Sequence, residues 1–156
     1  MVEAPAPQVA PEVLPVDAGA LPERLVLYDG VCGFCDGAVQ WLLARDREAR
    51  LCFAPLQGTT AEVLRARHAE IPEDLETFVV VERDARGERV HLRSDALLAV
   101  LGQLPTPWPW LTIVRWVPRA VRDAAYTAFA TRRYRWFGTL DACAVPSPDV
   151  RARFLD

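Results

Sequence analysis

Two cysteines separated by two residues, Cys32 and Cys35, are the side chains of this sequence that most clearly carry chemistry. Thiols at this spacing can close a small disulfide ring, and the same spacing also supplies half of a structural zinc site. A short apolar run at 25–28 precedes the pair, and good helix formers follow it. The sequence therefore predicts that the pair lies between a buried strand and the helix after it.

The two thiols are expected to differ in their roles. Cys32 lies just before the predicted helix, where unpaired backbone N–H groups and the helix dipole favour thiolate over thiol, so it should be the nucleophile. Cys35 shares a helix face with Val39 and Leu42 and should be sheltered. A sheltered thiol suits the resolving role, in which Cys35 attacks the mixed disulfide between Cys32 and a substrate.

Three neighbours of the pair are further candidates for the site. Gly33 should leave the backbone open to an approaching substrate, and Phe34 offers an apolar contact for it. Asp29 lies three residues before Cys32, where an ionised carboxylate would oppose thiolate formation. The sequence leaves two roles open for Asp29: it accepts a proton during exchange, or it shapes the turn.

The two remaining cysteines decide between redox chemistry and a metal. A zinc site would need Cys52 and Cys143 as its second half, although they lie far apart in the chain. Cys52 alternates with Leu51 and Phe53 in a predicted strand, which is typical of a small core residue. Cys143 follows in a polar tail and is either structural or a third redox thiol. This arrangement favours redox chemistry over metal binding.

The order of predicted elements is β-α-β-α-β-β-α. The predicted strands are 25–28, 51–54, 77–82 and 88–92, and the predicted helices are 36–47, 59–68 and 94–104. Thr59 or Thr60 is expected to cap the second helix and Ser94 the third. This order predicts an α/β, thioredoxin-like three-layer sandwich with a central mixed sheet of about four strands. Residues 1–22 should form a disordered lead-in to a single domain at 23–156.

A C-terminal helical extension at 105–156 follows, with predicted helices at 110–116 and 119–134. It is rich in tryptophan (Trp108, Trp110, Trp116) and arginine (Arg119, Arg122, Arg132, Arg133, Arg135). We expect the tryptophans to cover the core and the arginines to form a solvated face, although an arginine that folds back would steady the Cys32 thiolate. Tyr134 and Trp136 should anchor the extension to the sheet.

Several segments resemble one protein family. The stretch at 28–35, Tyr-Asp-Gly-Val-Cys-Gly-Phe-Cys, contains the pattern Asp-x-x-Cys-x-x-Cys that opens the DCC family of thiol–disulfide oxidoreductases, also known as DUF393. Segments 93–96, 122–126 and 134–138, the last followed by Cys143, look like later signatures of that family. The resemblance covers residues 24–155 and implies a thioredoxin-like fold and thiol–disulfide exchange.

The pattern also departs from thioredoxin itself. No tryptophan precedes Cys32, and no proline stands directly before the third strand, where a cis-proline normally faces the disulfide. Thr77 or Glu76 should occupy that place, which makes Thr77 a candidate for substrate binding.

These observations predict a thiol–disulfide oxidoreductase of the protein-disulfide reductase type, acting on a protein or small-molecule disulfide. No glycine-rich nucleotide fingerprint is present, so no cofactor is expected and a reductase or a low-molecular-weight thiol such as glutathione must supply electrons. The net charge of −3 gives no reason to expect nucleic acid, and no apolar run is long enough to span a bilayer. The expected compartment is the cytosol.

Two other functions stay open. The fold could serve as a binding module that docks a protein partner or a membrane surface through its Trp/Arg-rich extension. A zinc protein with cysteine ligands is the lesser alternative.

Overall fold

The computed structural model describes residues 21–141 and 147–156. Of the predicted lead-in at 1–22, only Leu21 and Pro22 are described, and Leu21 is buried in the core. Leu21 therefore belongs to the folded domain. Cys143 lies outside the described residues. No helix within these two ranges is long and apolar enough to cross a membrane.

A four-stranded mixed sheet forms the centre of the fold, in the order β2-β1-β3-β4. Its strands are β1 (Arg24–Tyr28), β2 (Cys52–Pro55), β3 (Val79–Asp84) and β4 (Gly87–Leu92). β1 runs parallel to β2 and antiparallel to β3, and β3 runs antiparallel to β4. The predicted thioredoxin-like mixed sheet is thus confirmed, although its third strand begins at Val79 rather than Thr77.

Side chains of the helices build one core on each face of the sheet. The helices are α1 (Gly33–Arg45), α2 (Thr59–Arg67), α3 (Arg93–Leu101), a 3-10 helix (Trp108–Trp116), α4 (Arg119–Ala130), α5 (Arg133–Phe137) and α6 (Pro148–Arg151). Val26 and Tyr28 of β1 pack with side chains of α1 and α3, whereas Leu25 and Leu27 pack with side chains of α2. β1 is therefore buried on both faces, as its uninterrupted apolar run predicted.

Two predictions for the second half of the chain are wrong. Ser94 does not cap α3, because Leu92 is the N-cap residue and the Ser94 hydroxyl donates to Asp123 of α4 instead. The predicted helix at 119–134 is two helices, α4 and α5, with a break at 131–132. The break turns Arg133 inward, so this arginine is buried rather than part of a solvated face.

The N-terminus of α2 is capped by a residue distant in sequence. Gly58 is the N-cap residue and supplies no side chain, so the predicted Thr59 or Thr60 cap is wrong. The Asp156 carboxylate accepts hydrogen bonds from the Thr59 hydroxyl at 2.6 Å and from the Thr60 backbone N–H at 2.9 Å. A carboxylate is favourable there because it pairs an orphan N–H at the positive end of the helix.

The 3-10 helix leaves much of its apolar surface in solvent. Trp108 packs edge-on against Trp41 of α1, with ring centroids 4.6 Å apart, and so partly covers the core as predicted. Trp110 and Trp116 are 77% and 89% exposed, so the predicted core-covering role is wrong for these two. Because a 3-10 helix repeats every three residues, Trp110, Ile113 and Trp116 share one exposed face.

Replacement of the capping carboxylate should destabilise the fold. In Asp156→Ala the α2 N-terminus loses its only side-chain acceptor among the described residues, and we expect the free energy of unfolding to fall by about 1 kcal/mol. Urea denaturation followed by circular dichroism measures this change. The control is Asp141→Ala, which removes an exposed carboxylate and should leave stability unchanged. Equal stability of the two variants would contradict the capping role.

Candidate active site

The cysteine pair lies at the N-terminus of α1, as predicted. Cys32 is the N-cap residue, and its Sγ accepts a hydrogen bond from the Cys35 backbone N–H at 3.4 Å. Both cysteines are free thiols in this structure. Cys32 Sγ thus takes the place of the side-chain oxygen that usually caps a helix, and it faces the positive end of the helix dipole.

Both thiols are sheltered from solvent. The exposed fraction is 0% for Cys32 and 7% for Cys35. Burial raises the pKa of the Cys35 thiol from 9.0 to about 12, and the nearby Arg133 guanidinium only partly opposes this rise. The contact with Cys32 contributes to the same rise. Cys35 is therefore held as a neutral thiol near neutral pH.

A segment of the C-terminal extension, residues 137–140, lies over Cys32, and we call it the strap. Thr139 of the strap forms an antiparallel β-bridge with Cys32. Two backbone hydrogen bonds flank this bridge, from Gly33 N–H to the Gly138 oxygen at 3.3 Å and from Leu140 N–H to the Val31 oxygen at 2.7 Å. Residues on both sides of Cys32 are thus paired with the chain's own backbone.

Gly33 is the point of closest approach between the strap and α1. A Cβ atom at this position would lie 2.8 Å from the Phe137 carbonyl oxygen, so a larger residue would displace the strap. The sequence predicted that Gly33 leaves the backbone open to a substrate. In the structure the strap occupies that space.

The Asp29 carboxylate is the polar centre of the site, and its side chain is fully buried. Among the described residues it accepts four hydrogen bonds, from Val31 N–H at 3.1 Å, Gln57 Nε2 at 2.7 Å, Arg133 Nη2 at 3.0 Å and the Tyr134 hydroxyl. The bond to Val31 closes an Asx turn and fixes the loop that leads to Cys32. The Arg133 guanidinium supplies the positive charge that a buried carboxylate requires.

Arg133 joins Asp29 to the segment that precedes β3. Its guanidinium also donates to the carbonyl oxygens of Leu75 and, at 3.4 Å, Glu76. Arg133 is 4% exposed, and its Nε has no hydrogen-bond partner among the described residues. The sequence placed Arg133 within a group of surface arginines, and no local pattern marks it as the partner of Asp29.

Tyr134 is confirmed as an anchor of the extension, because its hydroxyl donates to Asp29. The same prediction is wrong for Trp136, which is exposed and contacts Phe129 of α4 rather than the sheet.

Gln57 was not identified from the sequence. Its side-chain nitrogen donates to Asp29, and its side-chain oxygen accepts a hydrogen bond from Gly30 N–H at 3.1 Å. Gln57 follows β2, which lies beside β1, so strand pairing was the signal that could have placed it near Asp29.

The segment before β3 is tied to the extension by hydrogen bonds. The Tyr126 hydroxyl of α4 donates to the Glu76 oxygen at 3.0 Å and accepts from Phe78 N–H at 2.7 Å. Thr77 lies between these contacts and is buried. A role for Thr77 in substrate binding stays a prediction.

Phe34 lies at the mouth of a cavity beside the pair. Its ring is partly exposed and contacts Phe129 and Phe137, with centroid distances of 4.7 and 5.0 Å. The cavity has a volume of about 720 Å³ and lies between α1, α3, α4 and α5, and Cys35 forms part of its wall. The predicted apolar contact at Phe34 therefore belongs to a larger apolar surface.

Cys52 lies apart from the pair. It packs into the core on the α2 side of the sheet, whereas Cys32 and Cys35 belong to the core on the other side. Because the sheet separates them, these three cysteines cannot bind one zinc ion. Within 21–141 and 147–156, no group of three or more His, Cys, Asp and Glu side chains is arranged to hold a metal.

The segments that carried the family resemblance meet in space. Ser94 donates to Asp123, and Arg122 donates to Asp95 at 2.9 Å, so segments 93–96 and 122–126 join α3 to α4. The segment 134–138 contributes Tyr134 to the Asp29 site and Gly138 to the strap.

Comparisons with known proteins identify the family and two relatives of this chain. A family model for DCC1-like thiol-disulfide oxidoreductases matches residues 26–139. Uncharacterized protein YuxK of Bacillus subtilis (strain 168) is 36% identical over 135 residues, which are 86% of this chain and 96% of that protein. The DCC family protein At1g52590, chloroplastic, of Arabidopsis thaliana is 33% identical over 120 residues, which are 76% of this chain and 67% of that protein. No solved structure matches the chain. The chain therefore belongs to the DCC1-like thiol-disulfide oxidoreductase family.

Proposed function

We propose that this protein catalyses thiol–disulfide exchange, with Cys32 as the nucleophile and Cys35 as the resolving thiol. The observation that carries this assignment is the hydrogen bond from the Cys35 N–H to Cys32 Sγ at the N-terminus of α1. A backbone donor and a helix dipole that both face one sulfur favour negative charge on that sulfur. Cys35, with its raised pKa, keeps its proton until the second step.

The exchange proceeds in two balanced steps. Cys32 loses its proton and attacks one sulfur of the substrate disulfide, so that a Cys32–substrate disulfide forms and the other substrate sulfur leaves as a thiolate that takes up a proton. Cys35 then loses its proton and attacks Cys32 Sγ, which releases the second substrate thiol. Two electrons pass from the cysteine pair to the substrate, and the pair ends as a disulfide.

A complete cycle needs an external electron donor. We propose a reductase or a low-molecular-weight thiol for this role, and a protein or small-molecule disulfide as substrate. The cytosol stays the predicted compartment, while the Arabidopsis relative is named as a chloroplastic protein.

Asp29 fits the turn-shaping role better than that of a proton acceptor. Both of its oxygens already accept hydrogen bonds, and one of these bonds holds the Asx turn before Cys32. We therefore assign Asp29 and Arg133 to positioning of the cysteine loop.

The strap has to leave Cys32 before a substrate disulfide can reach it. Cys32 has no exposed surface, and attack requires the substrate sulfur to approach Cys32 Sγ in line with the bond that breaks. The strap is held mainly by backbone hydrogen bonds, and its own residues are exposed, so its opening is local. The closed strap is the resting state of the site.

The exposed face of the 3-10 helix favours a second candidate function. Trp110, Ile113 and Trp116 present a solvent-exposed apolar ridge that the redox site does not use. Such a ridge suits docking to a protein partner or a membrane surface. Replacement of Trp110 and Trp116 by serine would abolish such docking, whereas Cys32→Ser would leave it intact.

The cysteine roles predict different outcomes for three serine variants. Cys32→Ser should lose disulfide reduction by a factor of at least about 1,000, because the attacking sulfur is gone. Cys35→Ser should accumulate a mixed disulfide with the substrate, which mass spectrometry of the intact protein detects. Cys52→Ser is the matched control and should retain activity, because Cys52 lies on the other side of the sheet. A Cys32→Ser variant that still turns over would refute the assignment.

The raised pKa of Cys35 predicts the pH dependence of its alkylation. In the reduced protein, the rate of Cys35 modification by iodoacetamide should rise about tenfold per pH unit up to about pH 10, because the thiolate fraction of a group with a pKa of about 12 grows at that rate. Peptide mass spectrometry assigns the label to Cys35. Reduced glutathione, measured in parallel, should level off above its own pKa. A plateau for Cys35 near pH 8 would contradict the predicted pKa.

Loosening of the strap should expose Cys32. Gly138 has a φ of +72°, which residues with a Cβ atom rarely adopt, so Gly138→Ala should weaken the strap. We expect Cys32 to be alkylated roughly fivefold faster in this variant. Gly87→Ala imposes a comparable strain at φ +124° in the remote β3–β4 turn and should leave the Cys32 rate unchanged. Equal rates in both variants would mean that the strap does not limit access.

A further inference from the structure

The cavity beside the cysteine pair has the size and the chemistry of a binding site. Its volume of about 720 Å³ lies within the range of about 300–1,000 Å³ that is typical of small-molecule sites. Most of its wall is aromatic or aliphatic, and Phe34, Trp41, Leu97, Phe129 and Phe137 contribute to it. A ligand with an apolar body would bind there by removing this surface from water.

Two residues of the wall give the site polar character. Cys35 contributes one half of the redox pair, and Arg133 contributes a buried guanidinium whose Nε–H has no acceptor among the described residues. The third polar residue, Tyr126, already uses its hydroxyl in bonds to the segment before β3. A buried donor without an acceptor is unfavourable, so a ligand that brings an acceptor or a negative charge would complete the site.

We propose that this cavity binds the apolar body of the substrate, and that the substrate is a low-molecular-weight disulfide carried on an aliphatic or aromatic group. This inference rests on the proposed function, since it names the substrate class of the same cysteine pair. Cys35 and Arg133 both belong to the wall, and Cys32 Sγ lies 3.4 Å from the Cys35 backbone nitrogen. Once the strap has opened, the substrate disulfide therefore reaches Cys32 from that end of the cavity, with its body among the aromatic side chains.

Arg133 then has a role in the first step of exchange. When the bond between Cys32 Sγ and the first substrate sulfur forms, the substrate S–S bond breaks and its electron pair stays on the leaving sulfur. That sulfur is a thiolate until it takes up the proton that Cys32 lost. Arg133 belongs to the cavity wall and its Nε–H has no acceptor among the described residues, so we assign this guanidinium to stabilising the developing negative charge.

Two cyclic disulfides that differ only in their apolar arm test this proposal. Lipoamide and 1,2-dithiolane-3-carboxamide share the same five-membered disulfide ring, and lipoamide adds a chain of methylene groups. With the wild-type protein and a thiol donor, kcat/KM for lipoamide should exceed that for the shorter compound by about tenfold or more, because each buried methylene favours binding. Octanamide, which has a similar arm but no disulfide, should inhibit lipoamide reduction competitively.

A pair of matched variants links this preference to the cavity. Leu97 lines the cavity and is 43% exposed, so Leu97→Gln should fold normally, lower kcat/KM for lipoamide about threefold or more and leave the value for the shorter compound unchanged. Ile113→Gln makes the same kind of change at a residue that is 69% exposed and outside the cavity wall, and it should alter neither value.

The possible failures are distinguishable. Three results would overturn the cavity assignment and leave the proposed thiol–disulfide exchange intact. They are equal kcat/KM values for the two dithiolanes, an equal fall of both kcat/KM values in Leu97→Gln, and a preference for insulin disulfides over lipoamide. Reduction of none of these compounds, with oxidised glutathione also untouched, would overturn the proposed function itself.

Discussion

The ion pair between Asp29 and Arg133 is the interaction on which the site depends. Both side chains are almost completely removed from solvent, and the nitrogen and oxygen lie 3.0 Å apart. Desolvation of two charges is costly, and their attraction offsets this cost only when further hydrogen bonds satisfy both groups. Here Val31, Gln57 and Tyr134 donate further hydrogen bonds to the carboxylate. Backbone oxygens of the segment before β3 accept hydrogen bonds from the guanidinium. The ion pair thus contributes more to the positions of the connected segments than to the stability of the fold.

This pair joins parts of the chain that are far apart in sequence. Asp29 follows β1 directly, and Arg133 is the first residue of α5. Because the strap follows α5, fixing Arg133 also fixes where the strap meets Cys32. The C-terminal extension is therefore a component of the candidate site rather than an appendage to a thioredoxin-like body. The same arrangement places a positive charge near Cys35, where it moderates the rise in the Cys35 pKa that burial causes.

The parts of this structure that could be predicted from sequence are those with a local cause. The buried β1 strand follows from its apolar run, and the position of Cys32 at a helix start follows from the strand-to-helix switch beside it. The antiparallel pairing of β3 with β4 follows from the turn at 84–87 between two strand-forming segments. In each case the residues that decide the outcome lie within a few positions of the element that they shape.

The predictions that failed have distant causes. Asp156 caps α2 from another part of the chain, so Thr59 and Thr60 looked like the best local candidates. Ser94 has a typical capping side chain, but a contact with α4 engages its hydroxyl. The sequence prediction groups Arg133 with four other arginines of the extension, and only the fold decides that Arg133 is the one that meets Asp29. The strap over Gly33 could not be predicted either, because backbone groups rather than side chains form its hydrogen bonds. The sequence marks this contact only through the missing side chain at Gly33.

Phe137 connects the apolar cavity with the strap. Its ring forms part of the cavity wall and contacts Phe34, while its carbonyl oxygen lies against Gly33 at the start of α1. It is also the first residue of the strap, directly before Gly138 with its positive φ. A molecule that fills the cavity therefore presses on the same residue from which the strap extends over Cys32. Under the proposed function, a substrate body in the cavity contacts the residue whose carbonyl oxygen lies against Gly33, so that binding in the cavity and release of the strap both act through Phe137.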